Sequence, residues 1–558
     1  MSKQDLEKSQ PDVSVKSEHS AVEVGSVEHV GQEYSIKRTL TARNLQLIAI
    51  GGSIGTALLI TISTGLYMGG PLSLFLAFVI WTFIILFVTV AMGEMTCYLP
   101  IEAPFIQMAG RCVDSSYEFM VGINYYIMAS IYIPFEITAV NSMIHFWRDD
   151  YSPAITFCVQ IVIYTSLNLL AVKYFGESEF YLSIGKIILI IALILFTFIT
   201  MVGGNPQHDA FGFRYWRPPY PLMVESYATG TSGRFQGFLA ALNKACLTIV
   251  GPEYLCMIAG EAGQETRKVL KRTFKTVFYR LFFFYVLGAL CVGILLPAND
   301  PTLTAMAEAG SSSDASYSPY VIAMKNLNIK VFPHIVNVLC ISSAFSAGNS
   351  YVYCSSRALL GMAERGLVPK IFKRCTRNGV PIYCVGVTFL FSLLSLLQLG
   401  SGSAKVLTWI INLATGAQLL NYFYMCVTYL CFYRACKAQG IDRNQFVFRA
   451  WYQPYLTIFA MIILFLMVFV LGYTVFLPGN WSIENFLTYY IMIFVSIGLF
   501  IGHKLIYRER PIRPEDADLV TGIEEVEIHE EQYLASIPRN ADGTVKSSWA
   551  DKINNFLF

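Results

Sequence analysis

Charge is scarce where a soluble protein would need it most. Charged residues make up 14% of the 558 positions, against roughly 25% in an ordinary soluble domain. Residues 1–43 hold 13 of them and residues 504–558 hold 18, which leaves 47 for the 460 residues between. So few charges could not cover the surface of a water-soluble body of that size. A soluble enzyme, a disordered chain and a repeat solenoid are thereby excluded. The net charge of +2 lacks the basic stripe expected of a nucleic-acid-binding protein. No CxxC pair occurs among the 13 cysteines. Most of them lie in apolar runs and read as small buried residues, so neither disulfides nor a structural metal is expected. An HExxH zincin motif and a phosphate-binding P-loop are also lacking, and enzymatic activity is not expected. The first forty residues have no apolar signal-peptide core, so the first hydrophobic segment is expected to serve as the insertion signal.

What the sequence does have is apolar length. About twelve stretches reach the roughly 20 residues that a spanning helix needs. They lie near 45–68, 71–93, 119–144, 153–172, 180–203, 238–260, 279–297, 332–355, 382–400, 406–432, 455–477 and 485–505. The expected fold class is an all-α integral membrane protein. Residues 1–43 form an N-terminal tail, 44–507 the transmembrane domain and 508–558 a C-terminal tail. Basic residues crowd three loops: Arg267 to Lys275, Arg357 to Arg377, and Arg434 to Arg449. The positive-inside rule places these loops, and with them both tails, in the cytoplasm. The tails show no packing pattern and read as solvated, including the acidic run Glu524, Glu525, Glu527, Glu530 and Glu531. The alternative is a regulatory platform, with phosphorylation or ubiquitin at Lys3, Lys8 and Lys16 and a ubiquitin ligase or trafficking factor as partner. Membrane lipid is the other expected partner.

Two spans are interrupted. The first reads Ile50-Gly51-Gly52-Ser53-Ile54-Gly55-Thr56 and the sixth Thr248-Ile249-Val250-Gly251-Pro252-Glu253. Close helix packing through small residues explains one such motif as well as function does. Two motifs five spans apart are the sequence mark of a transporter binding site. Unwinding frees backbone N–H and C=O groups at the bilayer midplane. The N–H groups at a half-helix start suit a carboxylate and the carbonyls suit an ammonium, so one broken pair matches both ends of a free amino acid. Ionisable residues inside spans default to functional candidates. Lys186 and Glu253 are the candidates for proton coupling, with snorkelling as the alternative for Lys186. Glu136, after Pro134, is expected to be a hydrogen-bond partner for broken backbone, and His334 a packing residue. Asn412, Thr415, Gln418 and Asn421 recur every three residues in span ten, a polar face that lines a cavity or another helix.

The sequence resembles the fungal amino-acid permeases of the amino acid–polyamine–organocation superfamily. The resemblance runs from about Lys37 to Arg510 and is carried by Ile48 to Thr56, Gly93-Glu94-Met95, Gly260-Glu261-Ala262, Phe282 to Pro301, and Ser356-Arg357 with Gly366, Pro369, Gly379 and Pro381. It implies a LeuT-like fold, a 5+5 inverted repeat plus two helices. It implies proton symport of amino acids across the plasma membrane, driven by the proton gradient with no cofactor, and allows for an endoplasmic-reticulum pool. Gly52, Ser53, Ile54, Gly55 and Thr56 would receive the substrate carboxylate. Ile249, Val250 and Gly251 would receive the amine, with Glu253 and Thr415 completing the site. Lys186 matches a fifth-span lysine whose ammonium stands where sodium-coupled cousins bind an ion. Two other readings stay open: transport of carnitine or polyamines on the same fold, and a nutrient sensor that binds substrate and signals through its tails.

Overall fold

Gly70 turns the first span back into the second. Its φ of +82° is open to glycine and strained for other residues, and a side-chain carbon there would stand 2.7 Å from the carbonyl oxygen of Leu222. Pro71 follows, and the loop before span six closes over the turn through Val224 N–H to Gly69 O (3.0 Å) and Leu72 N–H to Leu222 O (3.1 Å). In the computed structural model, residues 42–536 are described, apart from 54, 149, 170–171, 264, 309–317, 377–378 and 400–402.

The helices follow the expected spans. Span one begins with Ala42–Ser53 and resumes after its break with Ala57–Thr61. Helix Ile62–Tyr98 completes it and carries span two beyond the Gly70 kink. Spans three to five are Ser115–Ile144, Pro153–Leu169 and Val172–Met201. Span six is split into Gly230–Thr248 and Pro252–Ile258. Span seven runs through Thr266–Arg280 to Leu287–Leu295, and span eight is Phe332–Glu364. Span nine opens with Ile382–Ser392, span ten is Ser403–Ala438, and spans eleven and twelve are Tyr455–Val470 and Ile483–Tyr507. Seven helices among the described residues are long and apolar enough to cross a membrane by length and composition alone. The continuous helix through Gly70 merges spans one and two, the second break splits span six, and the helices of spans four and eleven, Pro153–Leu169 and Tyr455–Val470, are apolar but shorter.

The sidedness of burial is that of a membrane protein. Large apolar side chains face outward in bands, as with Val159 and Val162 on span four, Ile188, Ile191 and Leu195 on span five, and Ile462, Phe465 and Phe469 on span eleven. Polar residues turn inward, where they can be satisfied. Span three packs along span eight, span two along the first half of span six, and span one against span five.

One expectation is corrected. The composition of the stretch after span twelve predicts a solvated tail, yet residues 512–536 dock onto the loops of the basic side. Leu519 and Val526 are fully buried. Arg111 donates to the carbonyl of Thr521 at 2.7 Å and Gln439 to that of Ala517 at 2.7 Å. Glu530 accepts the backbone N–H of Arg267 at 2.9 Å, and the Arg267 guanidinium lies 3.6 Å from Glu527. The acidic run thus meets one of the basic loops. Composition alone read it as solvent-facing because its partners are more than 250 residues away in the chain. Lys3, Lys8 and Lys16 lie outside the described residues.

Candidate functional site

The two breaks arise from local chemistry. Around residue 54 the chain offers Gly51, Gly52 and Gly55, each costly to hold in a helix, and Gly55 is non-helical. At the second break Pro252 opens a new helix at its first position, where its missing N–H costs nothing. Ile249 is extended, and Gly251 has φ −168° and ψ −85°. Gly52 and Ser53 end the first half-helix, and Ile54 lies outside the described residues. Gly51 to Gly55 also spells the GxSxG of a hydrolase elbow, but that motif requires a strand-to-helix turn and here it ends a membrane helix.

Each break is met by a buried carboxylate. Thr56 donates its hydroxyl to Glu136 Oε2. A side-chain carbon on Gly55 would lie 3.0 Å from Glu136 Oε1. Glu136 therefore reaches the end of the first break through the Thr56 side chain. At the second break Glu253 accepts from the backbone N–H of Gly251 at 3.3 Å and from the Tyr422 hydroxyl at 2.9 Å. Tyr422 in turn accepts from Gln418 at 3.1 Å, and Gln418 accepts from Tyr132. Spans three, six and ten are thereby tied into one hydrogen-bonded chain beside the break.

Lys186 is 2% exposed and donates to the carbonyl of Gly51 at 2.5 Å. It does not snorkel. It binds the C-terminal end of the first half-helix of span one, where carbonyls are left without partners and the helix dipole favours a cation. Two helical turns earlier on the same span stands Glu179, fully buried, accepting from Ser346 at 2.6 Å and Asn349 at 3.0 Å. Asn168 donates to Asn349 at 2.7 Å. A carbon on Gly51 would sit 3.4 Å from Glu179 Oε2, so the lysine and this carboxylate converge on one residue of span one.

The structure does not bring every expected residue to the breaks. Thr415 is buried, but its hydroxyl donates to the carbonyl of Ile411 on its own helix at 2.7 Å. Its neighbours on the same face, Gln418 and Tyr422, reach the site instead. Asn421 is fully buried, and its amide finds no partner among the described residues. His334 is exposed, accepts from Trp147 at 2.8 Å and meets the ring of Phe146 edge-on. Glu179, Tyr132 and Tyr422 were not singled out from sequence. Glu179 precedes the apolar run of span five, and its spacing of seven from Lys186 places both on one helix face. Among the described residues no group of His, Cys, Asp and Glu could hold a metal ion.

Residues 44–513 match the family model described as amino acid permease. The general amino acid permease AGP2 of Saccharomyces cerevisiae is 48% identical over 88% of this chain and 84% of its own. The proline-specific permease of the same yeast is 35% identical, covering 90% and 81%, and its dicarboxylic amino acid permease 36%, covering 89% and 82%. Among solved structures, a manganese transporter of Eremococcus coleocola superposes with a TM-score of 0.52 over 88% of this chain and 95% of that one. At 13% identity that likeness concerns the fold alone.

Proposed function

Because the chain belongs to the amino acid permease family, we propose that it imports amino acids across the plasma membrane by proton symport, with both termini in the cytoplasm. The observation that carries this reading is the bond from Lys186 Nζ to Gly51 O. A cation fixed to span one at its break couples the protonation state of Lys186 to the position of that half-helix. With the proton bound, the ammonium holds the half-helix against spans five and eight. Once the proton leaves, a neutral amine donates more weakly, the hold relaxes, and one repeat can rock against the other.

In this reading the N–H groups following the first break take the substrate carboxylate. The carbonyls of Ile249, Val250 and Gly251 take the amine, and the nearby Glu253 carboxylate adds opposite charge. Occlusion follows if both ends of the substrate bind the closed state more tightly than the open ones. The proton gradient supplies the driving force. Ubiquitin-ligase or trafficking partners would act at the two tails.

One observation favours carnitine or polyamine as the cargo. Tyr132 and Tyr351 stack at 4.6 Å, and Tyr132 is linked through Gln418 and Tyr422 to Glu253. Aromatic faces beside a carboxylate also suit a quaternary ammonium or polyamine.

The test is labelled uptake by the purified protein in vesicles under an imposed pH gradient, with competition by single amino acids, carnitine and spermidine. Concentrative uptake of an amino acid that collapses with the gradient supports the first reading. Displacement by carnitine or spermidine alone supports the second. Saturable binding without accumulation would overturn both in favour of a sensor.

A further inference from the structure

A cavity of about 490 Å³ lies between span two, the first helix of span seven and the loop before span eleven. Its apolar lining includes Phe274 and Phe448, both buried, and Trp451, which is 45% exposed. Phe274 and Phe448 pack with ring centroids 6.3 Å apart. Three cations line the same cavity: Lys271, Lys275 and Arg449. Lys271 and Lys275 are one turn apart on the helix Thr266–Arg280, so they present their charges on one face.

These lysines differ from their basic neighbours. Lys268 pairs with Glu265 at 2.7 Å, Arg267 with Glu527, and Arg443 with Glu94 at 2.6 Å. Among the described residues neither Lys271 nor Lys275 forms an ion pair or hydrogen bond, and no carboxylate lines the cavity. Phe278 also lines it, and beyond it the exposed faces of Phe282 and Phe283 continue the apolar band of span seven. An exposed tryptophan between such a band and a basic loop marks the membrane–water interface. An apolar cavity open at that level, rimmed by unneutralised cations, matches one ligand chemistry: an anionic head group carrying acyl chains.

We propose that this cavity is a binding site for an anionic phospholipid, whose phosphate is held by Lys271 and Lys275 with Arg449 alongside and whose acyl chain enters between Phe274, Phe448 and Trp451. The basic loops lie on the side that the positive-inside rule assigns to the cytoplasm, and that leaflet carries the anionic lipids. A soluble phosphate would satisfy the lysines but leave the aromatic walls uncovered. The site holds span two, span seven and the loop before span eleven together, so its occupancy bears on elements that pack beside the second break.

The experiment reads Trp451 directly. The full-length protein is reconstituted in phosphatidylcholine vesicles carrying a minority of phosphatidylserine, with acyl-chain bromine on one lipid or the other, and tryptophan fluorescence is recorded. Brominated phosphatidylserine should quench more than the same amount of brominated phosphatidylcholine, and the excess should disappear in Trp451→Phe. Replacing Lys271 or Lys275 by Gln should weaken the preference for phosphatidylserine roughly fivefold each, while Lys271→Arg with Lys275→Arg should retain it. Equal quenching by the two brominated lipids, or an unchanged preference in Lys271→Gln and Lys275→Gln, would overturn the proposal. So would displacement by soluble glycerophosphoserine, which would make the ligand a free anion. Should either Gln variant fail to insert, the other and Arg449→Gln carry the same test. None of these readings depends on which solute the protein carries.

Discussion

Lys186 donates its ammonium to the carbonyl of Gly51, joining the middle of span five to the end of the first half of span one. A helix break alone would leave that carbonyl without a partner in the bilayer. A lysine alone would be an uncompensated buried charge. Each removes the cost of the other, and the bond is strongest while the lysine keeps its proton. Glu179 and Glu136 are the carboxylates within electrostatic reach of the same ammonium.

Lys186→Ala should therefore abolish proton-driven accumulation and spare insertion. Hydrogen bonds to charged groups contribute about 1.5–3 kcal/mol, so the state with span one held should lose roughly ten- to hundredfold in population. The measurement is uptake under an imposed pH gradient beside exchange of labelled for unlabelled substrate at equal pH. Accumulation with an unchanged pH dependence would remove Lys186 from the coupling.

Gly55→Val should weaken substrate binding. A first side-chain carbon already stands 3.0 Å from Glu136 Oε1 and 3.4 Å from Ala347, and the two methyls of valine have less room still. Overpacking of this kind costs about 1–3 kcal/mol. Gly55→Ala should fall between, since it adds only the first carbon. Wild-type affinity in the valine variant, read by equilibrium binding, would take span one out of the site.

The amine end can be probed by comparing Glu253→Gln with Tyr422→Phe. The first removes the carboxylate charge and the second removes only one hydroxyl that supports it, worth about 1.5–3 kcal/mol as a bond to a charged group. Affinity should fall further in Glu253→Gln, and most for cargo of higher positive charge. Equal affinities in both variants and the wild type would separate the Tyr132–Gln418–Tyr422–Glu253 chain from substrate.

A pH effect on stability is expected on the basic side. Glu102 lies in the turn after span two, outside the spanning segments, and its Oε2 is sealed from solvent. Burial, with Glu364 beside it, pushes its carboxyl up from 4.5 to about 9. A group whose folded-state pKa is raised contributes stability that is full below its unfolded value and lost as the pH rises through the folded one. The protein should therefore lose thermal stability between about pH 5 and about pH 9, and Glu102→Gln should flatten that dependence. An identical slope in the variant, measured by melting in detergent, would refute the assignment.

Much of the fold was legible in the residues themselves. Apolar run length marked the spans, because a backbone in lipid must satisfy itself along one helix. Glycine and proline marked the two breaks, because both effects act within a few residues. The site was legible only in part. Lys186 and Glu253 stood out as charges inside apolar runs. Glu179 stands one step outside such a run, no sequence pattern sets Tyr132 and Tyr422 apart from other aromatics, and the Thr415 hydroxyl bonds within its own helix.

By itself the sequence determined the all-helical membrane class, the places where two helices break and the few buried charges that need a reason. Each of these follows from local composition and from the cost of polar groups in lipid. Only the tertiary structure decided which carboxylate meets which break, that Lys186 turns inward to Gly51, and that the acidic C-terminal stretch docks onto a basic loop. Those pairings join residues from about 80 to more than 250 positions apart. Their energy exists only once the helices have packed, and periodicity along the chain carries no trace of it.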